Sequence, residues 1–109
     1  MATTRKVLGQ AAPAADTNTD LYTVPASTST VTSTLTVCNR GATGATFRVA
    51  VRPAGASLAN AHYLYYGVQL QTGDSFAATI GLTLAATDVV TVRASTADLS
   101  FSLFGEETA

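Results

Sequence analysis

Alternation of apolar and polar residues with a period of two is the feature that most limits the fold of this chain. In residues 29–38, Val31, Leu35 and Val37 occupy odd positions, whereas the even positions from 30 to 36 are all threonine. Successive side chains of a β-strand point to opposite faces. The spacing therefore predicts a strand with one buried apolar face and one β-branched outer face.

A second run with the same alternation occupies residues 45–52, where Phe47, Val49 and Val51 fall on one face. The intervening residues 39–44 include one asparagine and two glycines. Both residue types tolerate the backbone angles that tight turns require. We therefore expect the two runs to pair with each other as a β-hairpin.

Shorter alternating or apolar runs fill the rest of the chain, and turn residues separate them about every 8–12 positions. This spacing is typical of an antiparallel β-sandwich or small barrel and not of units that alternate strands with helices. The predicted strands are residues 21–24, 62–66, 68–70, 76–84, 89–94 and 98–104, and Gly67 is expected to break the aromatic strand that precedes it.

The predicted fold is all-β: an antiparallel β-sandwich, Ig-like or jelly-roll-like, with about seven to eight strands and a short N-terminal arm. Residues 21–109 form the sandwich domain. Residues 1–20 form an arm or edge segment. Residues 11–20 lack large apolar groups and are predicted to be a flexible link or an arm, and residues 6–10 are candidates for pairing at a sheet edge. The expected core comprises Val31, Leu35, Val37, Phe47, Val49, Val51, Ile80, Val90, Val92, Leu99, Phe101 and Leu103.

Composition disfavours several functional classes. The 109 residues fit one domain, and 47% of them are hydrophobic while the net charge is only -1, which is unlike a disordered chain. Six basic against seven acidic residues leave no basic excess for nucleic acid. We find no apolar run of the roughly 18 residues that span a bilayer, and no apolar stretch typical of a signal peptide. Only 12% of residues are charged, which suggests a surface partly covered by other protein.

Residues that carry chemistry are sparse. His62 is the only histidine and Cys38 the only cysteine, so neither a multi-histidine nor a paired-thiolate metal site is expected. Dinucleotide and phosphate-loop glycine motifs are also missing from the sequence. Acidic side chains that folding brings together would be the remaining route to catalysis. We expect a protein that is not an enzyme and that uses no catalytic residue, metal or cofactor.

An aromatic cluster is one candidate for contact with a partner. Tyr63, Tyr65 and Tyr66 follow His62 directly. On a regular strand, Tyr63 and Tyr65 project to one face, and His62 and Tyr66 project to the other. Tyrosine is enriched at protein interfaces, so one face could pack on the core while the other contacts a partner. Alternatively, the hydroxyl groups simply reach solvent at the rim of the sandwich.

Two arginines form the other candidate interface. Arg48 and Arg52 lie on the outward face of the strand predicted for residues 45–52, roughly 13 Å apart by strand rise. Guanidinium groups on a surface of low charge suit fork-like bonds to carboxylates of a neighbouring subunit. Alternatively, both are solvated side chains that keep an edge strand soluble.

Several longer phrases carry a resemblance to a known class of protein, and the resemblance covers the chain from about residue 7 to 105. The phrases are LYTVPAST at 21–28, VCNRGAT at 37–43, FRVAVRPAGA at 47–56, HYLYYG at 62–67 and LAATDVVTVRAST at 84–96. The pattern resembles the small β-sandwich structural proteins encoded among the virion genes of tailed bacteriophages. Among these, capsid decoration (cement) proteins look the most similar, whereas tail- or fibre-associated modules are the alternative.

The resemblance implies a mechanical role. A cement protein made in the host cytoplasm would bind the major capsid protein on the outer capsid surface of the virion and stabilise contacts between capsid subunits. Many weak contacts repeated over a symmetric shell give a large total stabilisation. A homotrimer is expected, because icosahedral shells offer three-fold positions that an isologous dimer does not fit. The resemblance implies no catalytic residue and no cofactor.

Overall fold

The computed structural model describes residues 2–109, so Met1, the first residue of the predicted arm, lies outside it. Nine strands and two short 3₁₀ helices make up the regular structure of these residues. The strands are β1 (Thr3–Ala11), β2 (Thr19–Thr23), β3 (Ser29–Asn39), β4 (Ala45–Arg52), β5 (Tyr63–Leu70), β6 (Ser75–Ala78), β7 (Thr83–Leu84), β8 (Val89–Ala94) and β9 (Leu99–Thr108). The 3₁₀ helices are Pro53–Gly55 and Asn60–His62.

The strands form two antiparallel sheets that face each other across one core. Sheet A has the order β1-β9-β3-β6, with β7 also paired to β3, and sheet B has the order β2-β8-β4-β5. The predicted antiparallel β-sandwich is therefore confirmed. Because β6 and β7 pair with the same strand, they act as one interrupted strand, and the remaining order is that of a jelly roll.

The core lies between the sheets and is built from the inward faces of all the longer strands. Phe47 of sheet B packs edge-on against Phe101 of sheet A, with 6.0 Å between ring centroids. Nine of the twelve predicted core residues are buried, namely Leu35, Val37, Phe47, Val49, Val90, Val92, Leu99, Phe101 and Leu103. Val51 is only partly buried and packs against the rim of this cluster.

Val31 is not a core residue, and this prediction is wrong. The register of β3 against β9 shifts between Thr32 and Thr34, so Ser33 is an extra residue that bulges from the ladder. Beyond a bulge, the positions that would have faced inward face outward, and the reverse. As a result Val31 is 45% exposed, while Thr30 and Thr32 are almost fully buried.

The predicted hairpin between residues 29–38 and 45–52 is also wrong. β3 belongs to sheet A and β4 to sheet B, so the connection crosses from one sheet to the other. The buried Asn39 side chain holds this crossing: its Nδ2 donates to the carbonyl oxygens of Thr43 at 2.9 Å and Leu70 at 3.1 Å. Its Oδ1 accepts from the Gly41 amide at 2.9 Å. The asparagine and glycine form a turn, but the turn changes sheets.

The predicted strand over residues 76–84 divides in two. Opposite the bulge in β3, the Thr32 hydroxyl donates to the Ile80 carbonyl at 2.7 Å and accepts from the Leu82 amide at 2.9 Å. The side chain therefore replaces ladder bonds that the backbone would otherwise make. Ile80, predicted to lie in the core, is only half-buried in the gap between β6 and β7.

The N-terminal residues lie at the edge of sheet A. β1 pairs antiparallel with β9 from Thr3 opposite Thr108 to Ala11 opposite Phe101. Most of its side chains are exposed, and Leu8 and Ala11 are the ones that pack against the core. Residues 12–18 then lead to β2 in the other sheet. The segment predicted as an arm or edge segment is thus an edge strand followed by a crossing loop.

Candidate interface on the outer face of the four-stranded sheet

Alternation along the central strands of sheet B sends arginines to its outer face. In β4, Phe47 and Val49 point into the core, so Arg48 points outward. The same alternation in β8 buries Val92 and Ala94 and turns Arg93 outward. These strands are neighbours, so the side chains of their outward positions lie side by side on one surface.

Two bulges decide which tyrosines of β5 reach this surface. The register shifts place Leu64 and Gly67 as extra residues, and Gly67 has a positive φ of 74°. Glycine adopts that angle without steric cost, so Gly67 bends β5 and does not break it as the sequence analysis expected. The bulge at Leu64 separates Tyr63 from Tyr65, which a regular strand would put on the same face.

Tyr65 therefore faces the core and is partly buried against it. It pairs with Val49 across the ladder, and its ring packs 6.5 Å from that of Phe47 and 5.3 Å from that of Phe76. The candidate interface loses this residue, because its ring is occupied by core contacts.

Tyr63, Tyr66 and Arg48 are brought together on the outer face, and we call these three residues the arginine–tyrosine cluster. The Tyr66 ring is edge-on to the Tyr63 ring, with 4.9 Å between centroids. The Arg48 guanidinium carbon lies 4.1 Å from the centre of the Tyr66 ring, a cation–π contact. Tyr66 is 63% exposed, so the cluster presents aromatic surface and positive charge together.

Arg52 is engaged within its own chain. Its Nη2 forms an ion pair with Asp20 at 2.9 Å, and its Nε donates to Thr91 at 2.9 Å. Its Nη1 donates to the carbonyl oxygens of Gly55 and Ala56 at 3.1 and 2.9 Å. The Arg52 side chain is only 18% exposed, so it ties sheet B to the loop after β4.

His62 lies just before β5 in the 3₁₀ turn, where its Nδ1 accepts a hydrogen bond from the Ala59 amide at 3.1 Å. The residue caps its own turn and directly precedes Tyr63 of the arginine–tyrosine cluster.

Arg93 and Asp16 belong to the same surface but were not among the sequence candidates. Arg93 is the direct cross-strand partner of Arg48, and its Nη2 lies 3.8 Å from Asp16 Oδ1. The alternation of residues 89–94 was sufficient to place Arg93 outward. The register between β4 and β8, which places Arg93 opposite Arg48, could not be predicted from the sequence.

A second polar cluster closes one end of the sandwich. The Tyr22 hydroxyl of sheet B donates to Glu107 Oε2 at 2.5 Å and accepts from the buried Thr30 hydroxyl at 2.8 Å. Lys6 Nζ donates to the other carboxylate oxygen of Glu107 at 3.2 Å. These bonds link β2 to β1, β3 and β9 across the interior.

The electrostatics of this end follow from burial and hydrogen bonding. Burial, together with the hydrogen bond to Glu107, raises the pKa of Tyr22 to about 12. The hydrogen bond from Tyr22 is the main reason that the pKa of Glu107 lies below its usual value, and Lys6 adds to this effect while burial opposes it. The cluster thus favours a neutral phenol beside an ionised carboxylate.

The remaining chemistry-bearing groups are dispersed. Cys38 carries a free thiol and is exposed on sheet A. Within residues 2–109, no three histidine, cysteine or acidic side chains are placed to hold a metal ion. The described part of the chain contains no helix long and apolar enough to cross a membrane. Comparison with protein-family models, curated proteins and solved structures finds no match to this chain.

Proposed function

We propose that this protein is a non-enzymatic structural protein of a tailed-phage virion, which binds the outer surface of the capsid as a decoration (cement) protein. Its partners are the major capsid protein and further copies of itself, arranged as a homotrimer. The structural observation that best supports the proposal is the exposed arginine–tyrosine cluster on one broad face of the small sandwich.

The resemblance of the sequence phrases to phage virion proteins supports the assignment to a virion. The jelly-roll strand order agrees with it as a fold-level analogy, because jelly rolls recur in viral capsid proteins and also in lectins. The analogy concerns architecture alone. The choice of the capsid over the tail rests on the resemblance.

The chemistry of the arginine–tyrosine cluster supports a protein partner. Tyrosine and arginine are the residue types that most often dominate the binding energy of protein interfaces. Tyr66 exposes 63% of its surface although it is aromatic, and Arg48 is held over its ring. Such a contact positions the guanidinium group before a partner arrives, which reduces the entropy lost on binding.

The sheet edges offer a second mode of contact. β1 is an edge strand of sheet A, so one side of its backbone has no neighbouring strand within residues 2–109. Strand addition from an adjacent subunit at such an edge gives affinity through main-chain hydrogen bonds. Weak contacts of this kind, repeated over a shell, would give the summed stabilisation that a cement protein needs.

Cryo-electron microscopy of virions that carry the protein tests the proposal directly. We expect density for the sandwich, with extents of 45 × 27 × 19 Å, on the outside of the shell at three-fold or quasi-three-fold positions. Density on the tail or fibres would replace the cement proposal with the tail-associated alternative. If the protein is a cement protein, virions that lack it should also be less resistant to heating than virions that carry it.

Native mass spectrometry of the purified protein tests the oligomeric state. We expect a species with three times the 11.1 kDa mass of the chain. A monomer at all concentrations, both free and released from virions, would contradict the trimer but not the location on the capsid.

A further inference from the structure

Two arginines lie directly opposite each other at the centre of sheet B. Arg48 in β4 and Arg93 in β8 are Cα partners in the ladder, and both side chains point to the outer face. Directly opposed side chains of antiparallel strands have Cβ atoms about 5 Å apart, and like charges there are destabilising. A like-charged pair in a stable sheet therefore calls for a compensating anion.

The chain itself supplies only part of that compensation. Among residues 2–109, Asp16 forms the ion pair with this pair of arginines, at 3.8 Å from Arg93, and its side chain is 65% exposed. None of the ion pairs formed within residues 2–109 includes Arg48.

The charge of Arg52, on the same face, is fully compensated by groups of its own chain. It has a carboxylate at 2.9 Å and three further acceptors, all within its own chain. The outer face of sheet B thus contains one satisfied arginine and two that retain free hydrogen-bond donors.

The surroundings of the pair combine polar groups with an exposed aromatic ring. Arg48 and Arg93 line a small depression together with Asp16, Thr46, Ala94 and Ser95. Next to it stands the exposed ring of Tyr66, which orients the Arg48 guanidinium from 4.1 Å. A small inorganic anion would leave the two tyrosines of the cluster without a contact, whereas an acidic peptide segment would pack its side-chain stems and backbone on them.

We infer that Arg48 and Arg93, flanked by Tyr66 and Tyr63, form a binding site for an acidic segment of a partner protein. The two guanidinium groups bind Asp or Glu carboxylates of that segment through charge-assisted hydrogen bonds. The inference rests on the proposed function to the extent that it names the chemistry of the proposed interface. In this inference the second arginine of the interface is Arg93 and not Arg52, the residue that the sequence had paired with Arg48.

Titration of the protein with a defined acidic peptide tests the site. The probe is an N-acetylated, C-amidated hexaglutamate peptide, and the matched hexaglutamine peptide is the control. Arginine Nε–H resonances are followed by ¹⁵N NMR in the full chain. We expect saturable shifts for Arg48 and Arg93, no comparable shift for Arg52, and binding that weakens steadily as salt is added, because the interaction is between charges.

Substitutions locate the binding energy. Arg48→Gln and Arg93→Gln remove the guanidinium charge but keep a polar side chain, and each should weaken the peptide affinity at least about tenfold, which corresponds to about 1.4 kcal/mol. Arg5→Gln is the matched control, because Arg5 is 88% exposed on the other sheet, and its effect should stay within about twofold. The amide NMR spectrum verifies that each variant remains folded.

Several outcomes would overturn the inference. Absence of saturable shifts would show that the pair binds no acidic segment, and equal weakening by Arg5→Gln would show that attraction is non-specific. Inorganic phosphate that binds at the pair as tightly as the peptide would assign the site to free oxyanions. Tail localisation with peptide binding intact would refute the capsid assignment alone, whereas normal capsid occupancy of both arginine variants would refute this site alone.

Discussion

The hydroxyl of Tyr22 joins sheet B to two strands of sheet A. It donates to Glu107 and accepts from Thr30, whose own surface is only 1% exposed. Tyr22→Phe removes this hydroxyl and leaves a buried threonine without its partner. We expect a loss of about 1–3 kcal/mol in the free energy of unfolding, measured by urea denaturation.

Tyr66→Phe is the matched control for that substitution. Tyr66 is 63% exposed, and the contact with Arg48 involves its ring and not its hydroxyl. The change in stability should stay within about 0.5 kcal/mol, as for most surface positions. If the two variants lost equal stability, the polar cluster at the end of the sandwich would not be a stabilising element.

Glu107 predicts a specific dependence of stability on acid. Its pKa is lower in the folded chain than its usual value, so the unfolded chain takes up the proton first as pH falls. The stabilisation is therefore fully present above the unfolded-state value of about 4.3 and is lost as pH falls toward the folded value. In urea titrations, the stability difference between wild type and Glu107→Gln should shrink between neutral pH and about pH 3.

Glu106→Gln provides the comparison on the neighbouring position. Glu106 lies on the outer face in an exposed ion pair with Arg5 at 3.4 Å, and such pairs contribute little. Its difference from wild type should remain below about 1 kcal/mol. A difference for Glu107→Gln that is constant from pH 7 to pH 3 would contradict the electrostatic role of this carboxylate.

At the scale of elements, β-bulges explain most of what alternation predicted incorrectly. The period of two identified β3 and β5 as strands, and it placed Leu35 and Val37 correctly. The extra residues Ser33 in β3 and Leu64 in β5 then reversed the faces beyond them, which exposed Val31 and turned Tyr63 outward. Bulges are set by the partner strand, and a period within one strand carries no information about that partner.

The connection after β3 shows a second limit of local sequence signals. Asn39 and Gly41 do form a turn, as their residue types predict. The carbonyl of Leu70, about thirty residues further along, is what directs the Asn39 side chain and with it the chain path into the other sheet. That contact is long-range, so a hairpin and a crossing between sheets look the same in sequence.

Gly9 is the residue on which the docking of β1 depends. A Cβ atom at this position would lie 2.1 Å from the Leu21 carbonyl oxygen, a backbone atom of the opposite sheet. Gly9→Ala should therefore displace β1 from its place beside β2 while the rest of the sandwich stays folded. Hydrogen-exchange mass spectrometry should show faster exchange for residues 3–11 than in wild type.

Gly44→Ala, just before β4, is the control for Gly9→Ala. A Cβ atom at Gly44 would have its nearest neighbour at 3.6 Å, an ordinary van der Waals distance. This substitution should leave the exchange of residues 3–11 unchanged. Wild-type protection of β1 in Gly9→Ala would show that the close approach to Leu21 can relax without loss of the strand.

At the scale of the whole molecule, stability depends on the aromatic contact between the sheets. Phe47 and Phe101 are each 1% exposed, and their rings meet across the core. Phe47→Ala or Phe101→Ala should cost about 3–5 kcal/mol through lost burial and the cavity left behind. Chemical denaturation followed by far-ultraviolet circular dichroism measures the loss.

Val31→Ala distinguishes the observed core from the one that alternation predicts. Val31 is 45% exposed, so its truncation should change stability by less than about 0.5 kcal/mol. A cost comparable to that of a core valine would mean that β3 has no bulge in solution.

The candidate interface was only partly accessible from sequence for the same reason. Alternation placed Arg48 outward, and the enrichment of tyrosine singled out residues 63–66. Two features depend on strand register and on contacts between strands far apart in the chain: Tyr65 packs against the core, and Asp20 binds Arg52. Arg93 enters the surface only when β8 is placed beside β4.

The position of β9 in the interior of sheet A has a consequence for biosynthesis. β9 follows every other described strand along the chain, yet it pairs with both β1 and β3. On the ribosome, β2, β4, β5 and β8 can associate as soon as β8 has emerged, and β3 can pair with β6 and β7. β1 and the other edge of β3 remain without β9 until that strand emerges. Their edges stay open during that interval, which is when a nascent β-protein is most exposed to mispairing with other chains.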